Sequence, residues 1–230
     1  SRSGPALSVL LVPLAGVAVL TALQAPPPPG TAAASPVSLQ TAAGPPDRSQ
    51  VLNAMKRATA FMVDRVAVSG GYVWTYLPDL SRRWGEIEAR STMIWMQPPG
   101  TPSMGHAFLD AYRATGDEYY YLAAEQTAGA LIRAQHPSGG WNYAFDTAGP
   151  ASLASWYDTV GRNAWRLEEF QHDWGNATFD DGGTAESTTF LLRLSLEKRD
   201  ARYKAPLDRA VGFILDSQHP IGAWPQRFPP

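Results

Sequence analysis

The sequence predicts an all-α fold assembled from repeated helical hairpins, and three observations carry that prediction. A 27-residue stretch occurs twice without a gap, from Thr115 to Trp141 and from Lys198 to Trp224. Its register is constant: Asp117, Tyr120, Gly129, Gln135, His136, Pro137, Gly139 and Trp141 recur 83 residues later as Asp200, Tyr203, Gly212, Gln218, His219, Pro220, Gly222 and Trp224. Within a copy, apolar residues return at helical spacing, as at Leu207, Val211, Ile214 and Leu215. No alternating apolar and polar run is long enough to propose a sheet. Hairpins that repeat at this length stack into arrays or rings.

From the N-terminus, residues 1–34 read as an export segment. Arg2 precedes an apolar run from Leu7 to Leu23, followed by Pro26–Pro29 and then Ala32–Ala34, which suit a signal-peptide cleavage region. A membrane anchor is the alternative, since the run approaches the length of a bilayer span. Residues 35–47 read as a linker, and the domain proper occupies 48–230. A weaker third repeat ending stands upstream at Gly70-Gly71-Tyr72-Val73-Trp74. Helices are expected at Met104 to Ala114 and Thr184 to Leu196, each preceding one copy of the repeat. Asp117 and Asp200 are placed to cap the helices that follow them. The His-Pro pair then sets a potential cation at the negative helix end and stops the helix. Two long segments, residues 75–103 and 142–179, read as irregular and aromatic-rich, with a short helix at Arg162 to Phe170.

Composition excludes several functions. A net charge of −2 with 17% charged residues gives no polybasic surface for nucleic acid. With no cysteine there is no disulfide framework, thiolate metal site or cysteine nucleophile. The four histidines show no metal-ligand spacing, and no phosphate loop, dinucleotide fingerprint or G-x-S-x-G motif is present. Eight Trp, nine Tyr and eight Phe supply a helical core, and tryptophans carried on turns can also offer a flat face to a sugar ring.

Chemistry centres on Asn176 to Thr189. Asp180 and Asp181 precede two glycines and a helix start, placing oxygen ligands beside exposed backbone, as a hard cation such as calcium requires. By itself the pattern is better explained by an aspartate that caps a helix and glycines that turn the chain. Glu86, Glu88, Glu168 and Glu169 are further carboxylates of the kind glycosidases pair.

The order Ala177-Thr178-Phe179-Asp180-Asp181, then Asp200-Ala201-Arg202-Tyr203-Lys204, then Gly222-Ala223-Trp224-Pro225-Gln226-Arg227-Phe228-Pro229 resembles the pectate lyases of polysaccharide lyase family 10. The turn from His136 to Trp141 fits that family's first G-G-W motif. The resemblance implies an incomplete (α/α) toroid that cleaves polygalacturonate by calcium-assisted β-elimination, in a secreted or periplasmic protein with no membrane contact after signal cleavage. It implies Asp180 and Asp181 as calcium ligands, and Asp180, Asp181, Trp141, Trp224 and Gln226 as substrate contacts. Asp181 stands where the family has Asn, and Asn142-Tyr143 where it usually has Pro-Lys. The family's second acidic motif and catalytic arginine lie downstream of the G-G-W-P-Q turn, and no arginine here matches that position. A C-terminally truncated domain without activity of its own is therefore expected. Two other readings stay open: a toroidal glycoside hydrolase pairing Asp180 with Glu168 or Glu186, and a non-catalytic sugar-binding relative.

Overall fold

The computed structural model describes residues 47–163 and 175–229, which lie in one compact unit, Pro46–Pro230. The expected signal segment and linker, and most of the short helix expected at Arg162 to Phe170, lie outside the described residues. Helix α1 (Arg48–Phe61) begins at a capping box, in which Gln50 N–H donates to Asp47 Oδ1 while Gln50 Oε1 accepts from Asp47 N–H. A π-turn (Met62–Val66) ends it and buries Val66. Helices α2 (Thr101–Thr115) and α3 (Glu118–Ala134) form one hairpin, and α5 (Gly183–Lys198) and α6 (Lys204–Asp216) form the next. The two are joined side by side through α5, which packs against both α2 and α3. Among the described residues no helix is long and apolar enough to cross a membrane.

The segments read as irregular hold short structure of their own. Strands β1 (Thr75–Tyr76), β2 (Arg83–Trp84) and β3 (Glu88–Ala89) form an antiparallel meander. Strand β4 (Met93–Trp95) pairs with β5 (Ala144–Asp146), and β6 (Ala177–Thr178) pairs with β7 (Arg227–Phe228). At two or three residues each, they are too short for alternation to register in the sequence. Helix α4 (Pro150–Asn163) also falls inside a segment read as irregular. Its signal was present: Leu153, Trp156, Tyr157 and Val160 follow helical spacing, and Trp156 and Tyr157 are buried. The Trp156 indole donates to the Glu88 carbonyl, which ties α4 to β3.

The 83-residue register holds hydrogen bond by hydrogen bond. Asp117 accepts from Tyr119 N–H and Asp200 from Arg202 N–H, as expected of caps. The left-handed residues Gly116 and Arg199 close α2 and α5 by donating to Tyr112 and Ser195 carbonyls. At the turns, His136 N–H donates to Gly140 O and His219 N–H to Ala223 O. The indoles of Trp141 and Trp224 reach back to the carbonyls of Leu131 and Ile214, each at 2.8 Å. The repeat extends beyond the 27 residues seen in the sequence. Trp95 faces Ala144 as Thr178 faces Arg227, while Met96 N–H donates to Tyr143 O as Phe179 N–H does to Gln226 O.

A threonine hydroxyl sets each hairpin on the ending before it. Thr184 Oγ1 accepts from Trp141 N–H at 3.1 Å and donates to Thr178 O at 2.6 Å. Thr101 accepts from Tyr72 N–H and donates to Tyr72 O. The third ending therefore aligns through Tyr72, and Trp74 falls outside the repeat; its indole donates to Gln97 O. The glycines before Tyr72 and Trp141 admit neighbouring backbone. A Cβ on Gly70 would lie 2.3 Å from Gln126 O, and one on Gly139 2.0 Å from Arg209 O. Both glycines also have positive φ, +81° and +105°.

Between these contacts lies the main core, with Phe108, Leu109, Ala124, Ala128, Leu131, Phe190, Leu191 and Leu194 buried together. Four buried alanines on α3 (Ala123, Ala124, Ala128 and Ala130) let the flanking helices approach it closely. Trp141 is fully buried, whereas its equivalent Trp224 is 46% exposed, along with Val211, Leu215 and Ile221. The difference follows from what lies above each turn: α6 covers Gly139, and nothing lies within 4 Å of a Cβ on Gly222. Substituting these two glycines by alanine separates backbone strain from collision. Gly222→Ala is expected to cost about 1 kcal/mol of left-handed strain. Gly139→Ala adds a backbone clash and should cost roughly 3 kcal/mol or more. Thermal unfolding of the two variants checks the order, and equal losses would refute this account of the turn.

Candidate functional site

Strands β4 and β6 each end one residue before a short turn, and repeat symmetry places Gln97 and Asp180 at equivalent positions on those turns. The residues two beyond each turn tryptophan, Tyr143 and Gln226, are likewise equivalent. Both converge on one carboxylate oxygen: Tyr143 Oη–H and Gln226 Nε2–H each donate to Asp180 Oδ2 at 2.6 Å. Asp180 Oδ1 accepts from Asp181 N–H at 3.1 Å. These donors hold the Asp180 carboxyl below the usual carboxylate range. The Tyr143 hydroxyl is the largest cause; partial burial opposes it, and Gln226, the Asp181 amide and the positive charge of Arg227 add to it. Tyr143 is displaced oppositely, its hydroxyl pushed up first by burial and then by the Asp180 hydrogen bond.

Asp181 is exposed and sits in the left-handed region at φ 49°, ψ 24°. Its Oδ2 accepts from Gln97 Nε2–H at 2.7 Å. The guanidinium of Arg227 lies 5.0 Å from the Tyr143 ring centre, with Nη1 at 3.5 Å from the side-chain oxygens of both Asn142 and Asn176. The same two asparagines line a depression of about 340 Å³, together with Arg133, His136, Asp146 and Gly175.

Of the residues expected at a site, the fold brings Asp180, Asp181 and Gln226 together. Neither aspartate caps α5: Gly182 occupies that position at φ +74°, and no side chain bonds the helix end. Trp141 requires correction as a substrate contact. It is fully buried, with its indole N–H bonded to Leu131 O, so its ring belongs to the core. Trp224 keeps an exposed face. Glu186 lies 3.2 Å from His106 Nε2, and Glu168, the other carboxylate expected to pair with Asp180, lies outside the described residues. Sequence reasoning missed Tyr143 and Gln97. The 83-residue register was the available signal, because it maps Gln226 onto Tyr143 and Asp180 onto Gln97.

Among the described residues no group of three or more His, Asp and Glu side chains could hold a metal ion. Two adjacent carboxylates suit calcium in kind, but supply at most about four of the six to eight oxygens it takes.

The depressed pKa of Asp180 fixes the sign of its contribution to stability. That contribution is complete above the unfolded value, about 3.9, and is lost as pH falls through the folded value. Tyr143→Phe removes the largest lowering interaction, so the Asp180 carboxyl should titrate at higher pH. The acid-unfolding midpoint should shift upward with it. Carboxylate carbon NMR titration reads the first directly, and an unmoved Asp180 would show that Tyr143 does not control it.

The family model for pectic acid lyase matches residues 153–230. No curated protein matches the chain. A family 10 polysaccharide lyase from Cellvibrio cellulosa is similar at 17% identity and a TM-score of 0.47, over 78% of this chain and 53% of that one. A mutant of that enzyme in complex with trigalaturonic acid gives 16% identity and a TM-score of 0.48, over 77% and 54%. The chain thus spans about half the length of these structures. Over residues 153–230, the stretch that contains Asp180, Asp181 and Gln226, the chain is similar to the pectic acid lyase family.

Proposed function

We propose that the protein is a polysaccharide lyase acting on an acidic polymer of the polygalacturonate type, and that the cluster around Asp180 forms part of its substrate site. One observation carries this reading: the segment related to pectic acid lyases is the one whose two aspartates and glutamine converge on a single hydrogen-bonded cluster. In β-elimination a base removes the C5 proton of a uronate, a C4–C5 double bond forms and the C4–oxygen bond breaks. The uronate carboxylate makes that proton more acidic when its own charge is neutralised.

Asp180 and Asp181 are themselves anionic, so a polyanion approaches them only in the company of positive charge. Calcium expected at this place would find its protein ligands in Asp180 and Asp181, the other oxygens coming from substrate carboxylates and water, and would neutralise the uronate. The chain's own residues do the positioning. Tyr143, Gln226 and the Asp181 amide hold Asp180 ionised and fixed in direction. No described arginine is assigned as the base. Trp224 offers an exposed ring face beside Gln226, suited to a sugar face. Such a polymer is met outside the cytoplasm, in keeping with a secreted or periplasmic protein.

Elimination leaves an unsaturated, ultraviolet-absorbing product, and hydrolysis does not. The full-length protein should release that product from polygalacturonate. Asp180→Ala should reduce turnover on the order of 100-fold or more in a protein that still folds, its melting temperature lowered by the lost Tyr143 and Gln226 hydrogen bonds. New reducing ends without ultraviolet absorbance would replace the lyase reading with a hydrolase. Full activity in Asp180→Ala would remove Asp180 from the site.

A further inference from the structure

We propose that Gln97 is a positioning residue for the site: a neutral clamp that holds the Asp181 carboxylate in one orientation without cancelling its charge. The inference rests on the lyase reading for its functional consequence and on geometry for the clamp itself. Gln97 is only 6% exposed, although it sits on the turn that follows β4. Its amide cannot be placed either way round. The Trp95 indole N–H can only donate, and it meets Gln97 Oε1 at 2.9 Å, so the NH₂ group must face Asp181. The Gln97 main chain is held as well, its carbonyl accepting from the Trp74 indole at 2.8 Å.

Asp181 is exposed and has a left-handed backbone without being glycine, and Gln97 reaches its Oδ2 at 2.7 Å. The clamp comes from the other hairpin's turn, 84 residues earlier, and so ties the two repeats together across the site. An arginine or lysine in this place would orient Asp181 equally well and neutralise it. An amide supplies the hydrogen bond and brings no charge of its own to the site.

Two variants separate positioning from a merely structural role. Gln97→Glu keeps an acceptor for Trp95 and turns a carboxylate toward Asp181. Gln97→Met keeps length and bulk and loses both bonds. If Gln97 positions Asp181, both variants of the full-length protein lose roughly ten- to a hundredfold in kcat/KM on polygalacturonate, Gln97→Glu the more, in protein that remains folded at the assay temperature. If Gln97 only seats Trp95, the order reverses: Gln97→Glu stays near wild type and Gln97→Met is impaired, which overturns the proposal. A crystal structure of Gln97→Glu gives a reading independent of activity. A displaced Asp181 carboxylate supports the clamp, and an unmoved one refutes it. A wild-type protein that releases no unsaturated product would overturn the lyase reading, and the position of Asp181 would still decide the role of Gln97.

Discussion

The hydroxyl of Thr184 is the contact on which the arrangement of hairpins depends. Short connections leave peptide groups that need partners inside the fold, and the peptide of Trp141 is fully enclosed. Its N–H is satisfied by Thr184 Oγ1 on α5 and its carbonyl by Thr178 N–H on β6, the strand that leads into the next hairpin. Because buried peptide groups are costly to leave unpaired, the incoming helix has one depth and one rotation at which it can dock. The same device operates between Tyr72 and Thr101. Hydrophobic burial supplies most of the driving force between the hairpins, but it is not directional. Direction comes from the hydroxyl and from the glycines that let helix backbone pass at close range.

That docking brings two loops to Asp180. Tyr143 and Gln226 each follow a turn tryptophan by two residues, and each is presented at the end of a hairpin by the same local geometry. Their meeting at one carboxylate oxygen is a product of stacking, since neither hairpin alone contains the set. Ion pairs across the same boundary, Arg113–Glu197 and Lys198–Glu118, are exposed, and pairs of that kind contribute little. The Tyr143 bond to Asp180 is part-buried, and there a fixed donor has more influence on a carboxylate.

How much of this was legible depends on the length of each signal. The repeated helices and their aspartate caps could be read because propensity, capping and apolar spacing agree over more than ten residues. The strands β4 to β7 could not, since two or three residues carry no period and their pairing is settled by the hairpins on either side. Helix α4 was legible in Leu153, Trp156, Tyr157 and Val160, but the surrounding aromatic and glycine-rich sequence obscured it. At the site, Asp180, Asp181 and Gln226 came from a motif in one linear stretch. Tyr143 and Gln97 came from folding, which brings residues 37 and 84 positions away to the two aspartates. Trp141 shows the opposite error, because a tryptophan on a turn can face inward when another helix covers that turn.

Repetition also leaves the chain with pairs of structurally equivalent positions whose chemistry has diverged. Gln97 and Asp180 stand at the same place in consecutive units, as do Tyr143 and Gln226. At Tyr143 and Gln226 the main chain keeps its duplicated hydrogen bond, from Met96 N–H and Phe179 N–H, so the fold there is secured by peptide groups and the side chain is released from that duty. An array of this kind can hold one unit as scaffold while its twin acquires charge. The neutral glutamine and the charged aspartate then no longer serve as copies, and the first supports the turn that carries the second. Division of labour between duplicates is thus written into a single carboxylate–amide contact.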